Sequence, residues 1–345
     1  MKTLKLGVLG TGSLGKNHAR IYSELAQAGM IEFAGIYDVL ESSAKTVSNQ
    51  LGGVHIFSSI EDLIDHCDAV SVVTPTTTHY ELSRRLLEEG KHVLVEKPMC
   101  DHAAQAYDLV RLAKNNKCLL QVGHVERFNP VFGFLQKAAS DPRFIETHRL
   151  SPYPARSTDI GVALDLLIHD IDVVLAFVKS PVVHVDAVGI PVLSDSEDIV
   201  NARVNFANGC VANMTASRVS PDRMRKIRVF SGGNSPCYIS LDYREQKGFL
   251  YRMARQDEKE SSIFKKLLAA SSSSIVSEFA GKRIVREPAP IEKEEPLKME
   301  LQSFIECVKI HHAPVVSGES ACKALDLAFE ITHQIMEKMK GIKIS

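Results

Sequence analysis

The sequence predicts an α/β protein in two parts: a parallel sheet wrapped by helices, then a second α/β region with a large, mostly antiparallel open sheet. Three observations carry this. Short apolar runs alternate with amphipathic runs up to about residue 123, the rhythm of parallel strands joined by right-handed helical crossovers. Beyond residue 125 the apolar runs follow one another, some separated by hairpin turns such as Asn208-Gly209 and Gly232-Gly233. The length, 345 residues, is roughly that of two domains.

Leu4–Leu9 reads as a buried strand and Gly15–Ala28 as a helix. Phe33–Tyr37 is the next strand, and Ser42–Leu51 is a helix followed by Gly52 and Gly53. Ala69–Val73, His92–Val95 and Cys118–Val122 complete the parallel set, with helices at His79–Glu89 and Ala103–Asn115. In the second region, strands are expected at Phe144–Leu150, Val182–Ile190, Ile199–Ala207, Cys210–Ser217, Ile227–Ser231, Cys237–Asp242 and Gly248–Arg252. Helices are expected near 128–140 and 161–178. Residues 256–296 read as an exposed excursion or irregular edge, with a short helix at Ile263–Ala270. Helical periodicity returns from Leu297 to Lys340, broken at Pro314. The expected domains are 1–124, 125–296 and 297–345.

Composition excludes several classes. A net charge of −1 supplies no basic field for nucleic acid or an anionic membrane. No apolar run approaches the roughly 18 residues of a membrane span, and the first residues enter a strand, leaving no room for a signal peptide. Seven scattered cysteines without a CxxC argue for reduced thiols in a cytoplasm.

Three signals carry chemistry. The first is Gly10-Thr11-Gly12-Ser13-Leu14-Gly15, after a strand and at the head of a helix. Gly10 makes the tight turn, Gly12 lets the backbone approach a pyrophosphate, and Gly15 allows close helix–strand packing. Asp38 ends the second strand, where a carboxylate accepts ribose hydroxyls and repels a 2′-phosphate, so NAD is expected over NADP. The alternative is a glycine-rich turn with no ligand. The second signal is a pair of loops at the carboxyl ends of strands, Thr74-Pro75-Thr76-Thr77-Thr78-His79 and Glu96-Lys97-Pro98. The third is "DIGVALDLLIHDIDVVLAFV", residues 159–178. On a regular helix Asp165, His169 and Asp172 share one face while Asp170 points elsewhere. A carboxylate there orients His169 toward a substrate hydroxyl; a satisfied structural His–Asp pair is the alternative. A metal site ranks lower, because no further His or Cys completes it, and none is expected.

This ordered set, GxGxxG, an acid ending the second strand, T-P-x-x-x-H, E-K-P and D-x-x-x-H, resembles the Gfo/Idh/MocA oxidoreductases over about 4–255 and 294–335. The resemblance implies an N-terminal Rossmann domain, an α/β domain with an open sheet, and a C-terminal segment returning to the first domain. It implies oxidation or reduction of a sugar or cyclitol carbinol with NAD(P), with Lys97 as catalytic lysine and Asp165 and His169 as the acid–histidine pair. Thr74, Pro75, His79, Glu96 and Lys97 join the glycine loop and Asp38 as cofactor residues. "GHVERFNP" (123–130), "IHDIDVVL" (168–175), "SRVSPDRMRKIRVF" (217–230) and "EKEEPLKMELQSFIECV" (292–308) look like the UDP-N-acetylglucosamine 3-dehydrogenase branch, whose product enters lipid A synthesis.

A UDP-sugar needs cations for its diphosphate. Arg127 and Arg156 are candidates, with Asn129 beside Arg127, as is the cluster Arg218, Arg223, Arg225 and Lys226; the cluster also suits a solvated strand edge. His169 suits the base role and Lys97 the stabilisation of alkoxide charge, although the roles can be exchanged. The competing readings are a free-cyclitol or free-sugar dehydrogenase and a non-catalytic NAD-sensing module. A sheet covered on one face is expected to make a homodimer or homotetramer through residues between about 182 and 252.

Overall fold

Five short strands, β1 (Lys5–Leu9), β2 (Glu32–Tyr37), β3 (Ala69–Val72), β4 (His92–Glu96) and β5 (Leu120–Gly123), form an all-parallel sheet in the order β2-β1-β3-β4-β5. Every residue of β3 and β5 is buried, as expected of strands covered on both faces. The computed structural model describes residues 3–153, 160–254, 274–279 and 282–341. Helices α1 (Gly15–Gln27), α2 (Glu41–Gln50), α3 (Ile60–His66), α4 (Thr76–Glu88) and α5 (Ala103–Asn115) run between the strands. The strand order reverses between β1 and β3, the switch point where ligands of such sheets bind.

Sequence reasoning missed α3. Its signal was the Ser59-x-x-Asp62 cap: the Ser59 hydroxyl accepts the Asp62 N–H at 3.1 Å, and Glu61 and Asp62 stand in the first turn.

The second sheet has nine strands: β6 (Pro142–Leu150), β7 (Val182–Ile190), β8 (Ile199–Phe206), β9 (Val211–Ser217), β10 (Met224–Ser231), β11 (Cys237–Asp242), β12 (Lys247–Met253), β13 (Ser274–Phe279) and β14 (Lys282–Pro288). Their order is β13-β14-β12-β11-β10-β6-β9-β8-β7, antiparallel everywhere except between β6 and β9. Helices α6 (Pro130–Ala138) and α7 (Ile168–Val178) pack on it. Alternation is plain in β8, where Val200, Ala202, Val204 and Phe206 are buried and Asn201 and Arg203 exposed. The expected excursion at 256–296 is corrected in part: β13 and β14 extend the sheet. Their polar, charged residues hid the strand signal. The expected helix at Ile263–Ala270 lies outside the described residues.

The chain divides into two units, 1–128 with 295–326 and 129–294 with 327–345. Helix α8 (Pro296–Ile310) belongs to the first. Leu301, Phe304, Ile305 and Val308, at helical spacing, join Ile21, Tyr22 and Leu25 of α1 in one core. Burying each such side chain contributes about 1.5–3 kcal/mol, which anchors α8 to the parallel-sheet unit. Helix α9 (Gly318–Gly341) divides between the units after Asp326. Among the described residues no helix is long and apolar enough to cross a membrane, and no group of three His, Cys, Asp or Glu side chains is placed to hold a metal.

Candidate active site

The three glycines after β1 do three different jobs. Gly10 has φ +96, and a Cβ there would lie 2.3 Å from the Val73 carbonyl oxygen. A Cβ at Gly15 would lie 2.0 Å from the Gly10 carbonyl oxygen, so the head of α1 can press against the turn only as glycine. A Cβ at Gly12 would meet nothing within 4 Å. The chain itself therefore has no packing reason for Gly12, and its backbone is open to a group approaching from outside. Leu14 supplies no side-chain cap to α1; the Lys16 N–H donates to the Gly12 carbonyl at 3.2 Å and the Asn17 N–H to the Leu14 carbonyl at 2.8 Å, so the turn itself closes onto the head of the helix, whose positive dipole end faces an incoming anion.

Asp38, directly after β2, shapes this loop. Its Oδ2 accepts the Thr11 N–H at 2.7 Å and the Thr11 hydroxyl at 2.8 Å, and its Oδ1 accepts the Leu40 N–H at 2.9 Å. An ionised carboxylate has about four acceptor sites, so one remains for a ribose hydroxyl. A cavity of about 570 Å³ opens here, lined by Gly10, Gly12, Asp38, Leu40, Thr74, Pro75 and Leu82 among others. Val39 (83 % exposed) and Leu40 (65 % exposed) edge it with apolar surface, which fits the face of a purine. These two residues carried no signal in the sequence beyond their position after Asp38.

Lys97 follows β4 and is half-buried. Glu96 before it is buried, accepts the Lys97 N–H on Oε2 at 3.2 Å, and holds Oε1 3.2 Å from Nε2 of His18 on α1. His79 on α4 is buried between two loops, with Nδ1 2.9 Å from the Pro98 carbonyl oxygen and Nε2 2.8 Å from that of Thr74. Burial pushes the His79 pKa down, against the opposing pull of those two carbonyls. Thr74, Pro75, His79, Glu96 and Lys97 are thus brought together in the first unit. His18 was missed; the signal was a histidine on the buried face of α1, three residues past Gly15.

In the second unit the expected helix over 161–178 is not regular. Ala163–Leu167 forms a π-helical turn that leads into α7. Its i→i+5 bonding widens the turn, so the 100° step used to place Asp165, His169 and Asp172 on one face does not hold through it. Asp165 and His169 are partly exposed, whereas Asp172 is buried. Asp170 points elsewhere, as expected: Arg149 of β6 grips it through Nε (2.9 Å) and Nη2 (3.2 Å).

The π turn is held from a distance. Buried Glu197 accepts the Ala163 N–H on Oε1 at 3.2 Å, and its carbonyl accepts the Val162 N–H at 3.1 Å. Next to it, Asp198 accepts the Arg218 Nε–H at 2.7 Å, and Arg218 Nη1 donates to the Ile160 carbonyl at 2.7 Å. Burial pushes the Asp198 carboxyl up, but the Leu193 and Val192 N–H groups, Arg218 and Ser194 outweigh it and hold the group far below its usual range.

Two family models match this chain. Residues 4–124 match an oxidoreductase family with an NAD-binding Rossmann fold, and residues 136–232 match a GFO/IDH/MocA C-terminal domain. The chain is 30% identical over 329 residues to UDP-N-acetylglucosamine 3-dehydrogenase of Acidithiobacillus ferrooxidans, covering 95% of this chain and 96% of that protein. The chain belongs to the Gfo/Idh/MocA family of oxidoreductases. A solved structure of the Acidithiobacillus ferrooxidans enzyme superposes with a TM-score of 0.85 at 29% identity, covering 98% of this chain and 99% of that one. The scyllo-inositol 2-dehydrogenase (NAD(+)) of Bacillus subtilis is 24% identical over 97% of this chain and 95% of its own length. Levoglucosan dehydrogenase, solved with NADH and L-sorbose, shares the fold alone (TM-score 0.80, 17% identity, 98% of each chain).

As a member of this family the chain is an NAD-binding dehydrogenase, and the open space at Gly12, the N-terminal end of α1 and Asp38 fit that cofactor. The arginine candidates separate. Arg218 is not available to a diphosphate: it is fully buried and spent on Asp198, Ile160, Ser194 and Ser196. Its cluster does not converge, because Arg225 and Lys226 alternate on opposite faces of β10 while Arg223 lies before it. Arg127 is half-buried and donates to the Val315 carbonyl at 3.3 Å. Asn129 caps α6 by accepting the Val131 N–H at 3.1 Å and donates to the Tyr243 carbonyl at 3.1 Å. Arg156 lies outside the described residues.

Proposed function

We propose that this protein oxidises the C3 hydroxyl of UDP-N-acetylglucosamine to a ketone, using NAD. The observation that carries the reading is the match along nearly the whole of both chains to the Acidithiobacillus ferrooxidans enzyme of that name. Gly10 to Gly15, Thr74, Pro75 and Asp38 hold the cofactor. NAD, when bound, accepts the hydride from the carbinol carbon. His169, a side chain type that changes protonation nearest neutral pH, takes the hydroxyl proton, and Asp165 orients it. The Lys97 ammonium stabilises the alkoxide charge that develops as the proton leaves. Arg127 and Arg156 are the cations for the diphosphate. Asn129 serves by shaping the start of α6.

The 3-keto sugar would supply a transamination on the way to lipid A precursors, in the cytoplasm. All seven cysteines are free thiols, and burial pushes Cys67, Cys100 and Cys322 up to about 12, so these three are inert at neutral pH. The protein assembles as a homodimer or homotetramer through the face of the second sheet that carries Phe144, Phe230, Tyr238 and Tyr251. Their rings run in register across four strands at centroid spacings of 5.8, 4.7 and 5.3 Å, and Phe230 is 41% exposed. A monodisperse monomer at micromolar concentration in sedimentation would contradict that assembly.

The test is NADH formation across a panel of UDP-sugars and free cyclitols. Turnover should be greatest with UDP-N-acetylglucosamine. Turnover of free inositols with none of the nucleotide sugars would overturn the substrate and leave the family intact.

A further inference from the structure

We propose that His18 and His79 are positioning residues that clamp the backbone of Lys97 from both sides and tie it to the two segments that hold the cofactor. The inference rests on Lys97 being a catalytic residue. It starts from a chain of buried contacts within the first unit. His18 is fully buried on α1, the helix that begins at Gly15. Its Nε2–H donates to Glu96 Oε1 at 3.2 Å, since an ionised carboxylate only accepts. The other oxygen, Oε2, accepts the backbone N–H of Lys97 at 3.2 Å. Gly123 makes room for this carboxylate: a Cβ there would fall 2.7 Å from Glu96 Oε1.

On the other side of Lys97, His79 stands between two carbonyls, with Nδ1 2.9 Å from that of Pro98 and Nε2 2.8 Å from that of Thr74; burial favours the neutral ring, whose single N–H donates to one of them at a time. Residue 96 is therefore held by one buried histidine, and the carbonyl of residue 98 lies against another. One histidine stands on the helix of the glycine loop. The other stands between Pro98 and the loop after β3, which lines the cofactor cavity. Packing alone does not require this, because burying polar groups costs free energy that apolar side chains would avoid. What these bonds add is position: a misplacement of about 1 Å at a reacting group costs on the order of 100-fold in rate.

The conservative variants follow from the geometry. His18→Gln keeps a donor near the position of Nε2, while His18→Leu removes it. His79→Asn keeps a donor near the position of Nδ1, beside the Pro98 carbonyl, and leaves none beside that of Thr74. With UDP-N-acetylglucosamine and NAD, His18→Leu should lower kcat about 10- to 100-fold with KM and the NAD dissociation constant within about threefold. His18→Gln should recover most of that loss. The double variant Lys97→Ala/His18→Leu should be no slower than Lys97→Ala alone, because His18 acts through Lys97. Hydrogen exchange at the amide of residue 97 should quicken in His18→Leu while the amides of Val93 and Val95 in β4 stay protected. This measurement needs no substrate, and it decides the inference even if the protein turns over a different sugar. Should His18→Leu fail to fold, His79→Asn carries the same kinetic test, with a smaller loss in kcat.

An unchanged exchange rate at residue 97 would overturn the proposal. So would a double variant much slower than Lys97→Ala, or a loss confined to thermal stability. Near-normal turnover of Lys97→Ala would instead remove the catalytic reading on which it rests.

Discussion

The two units build their candidate functional residues by opposite means. In the first, the glycine loop, Asp38, Thr74 and Lys97 each stand just past the carboxyl end of a strand, so a parallel sheet gathers them without further instruction. In the second, Asp165 and His169 stand on one irregular turn and helix whose position is imposed from elsewhere. Glu197 is 34 residues from Ala163, Arg218 is 20 from Asp198, and Arg149 is 21 from Asp170. Topology makes the first site; a set of buried ion pairs and caps makes the second. Substitutions should therefore damage the first site by local chemistry and the second by loss of distant supports.

The largest effects are expected at the two side chains proposed to act on the substrate. His169→Ala and Lys97→Ala should each lower kcat by about 10²- to 10⁴-fold, read from NADH absorbance, while NAD still binds in titration calorimetry. Near-normal turnover in either variant would sink that assignment.

Next comes the distant support. Arg218→Met leaves Asp198 charged and buried, at a cost of about 3–5 kcal/mol in urea unfolding. Arg228→Met breaks an exposed pair with Glu146 at 3.5 Å in the same sheet and should cost about 0–1 kcal/mol. Equal costs would contradict the view that Arg218 is a keystone rather than a surface cation.

That contrast also explains what the sequence revealed. Arg218 stood among Arg223, Arg225 and Lys226 and looked like part of a phosphate-binding cluster; only the fold shows Asp198 beneath it. The π turn at Ala163–Leu167 was invisible because a contact at its start, the Glu197 carboxylate accepting the Ala163 N–H, comes from the connection between β7 and β8. The glycine loop was legible because strand, turn, helix and acid are adjacent along the chain. The strands β7 and β11 were placed to the residue because their alternation is regular.

The glycines separate fold from binding more finely. Gly15→Ala forces a Cβ against the Gly10 carbonyl and should cost about 1–3 kcal/mol, seen as a lower Tm. Gly12→Ala meets open space, so Tm should hold while NAD binding weakens by about 10-fold or more. Equal NAD affinity in Gly12→Ala would count against the cradle.

The smallest effect is a pH dependence in the first unit. Burial holds the His79 pKa below its ordinary value, whereas the unfolded chain titrates near ~6.5. Below that pH the unfolded state takes up the proton first, so stability falls as pH drops from 7 toward 5. His79→Asn should flatten that slope in Tm against pH; an unaltered slope would assign it to other groups.

The central claim, oxidation at C3 of a nucleotide sugar, is tested most directly with UDP-N-acetylglucosamine carrying deuterium at C3. The account predicts that the deuterium appears in the reduced nicotinamide. Unlabelled NADH formed from that substrate, or no NADH at all while a free cyclitol is oxidised, would contradict it.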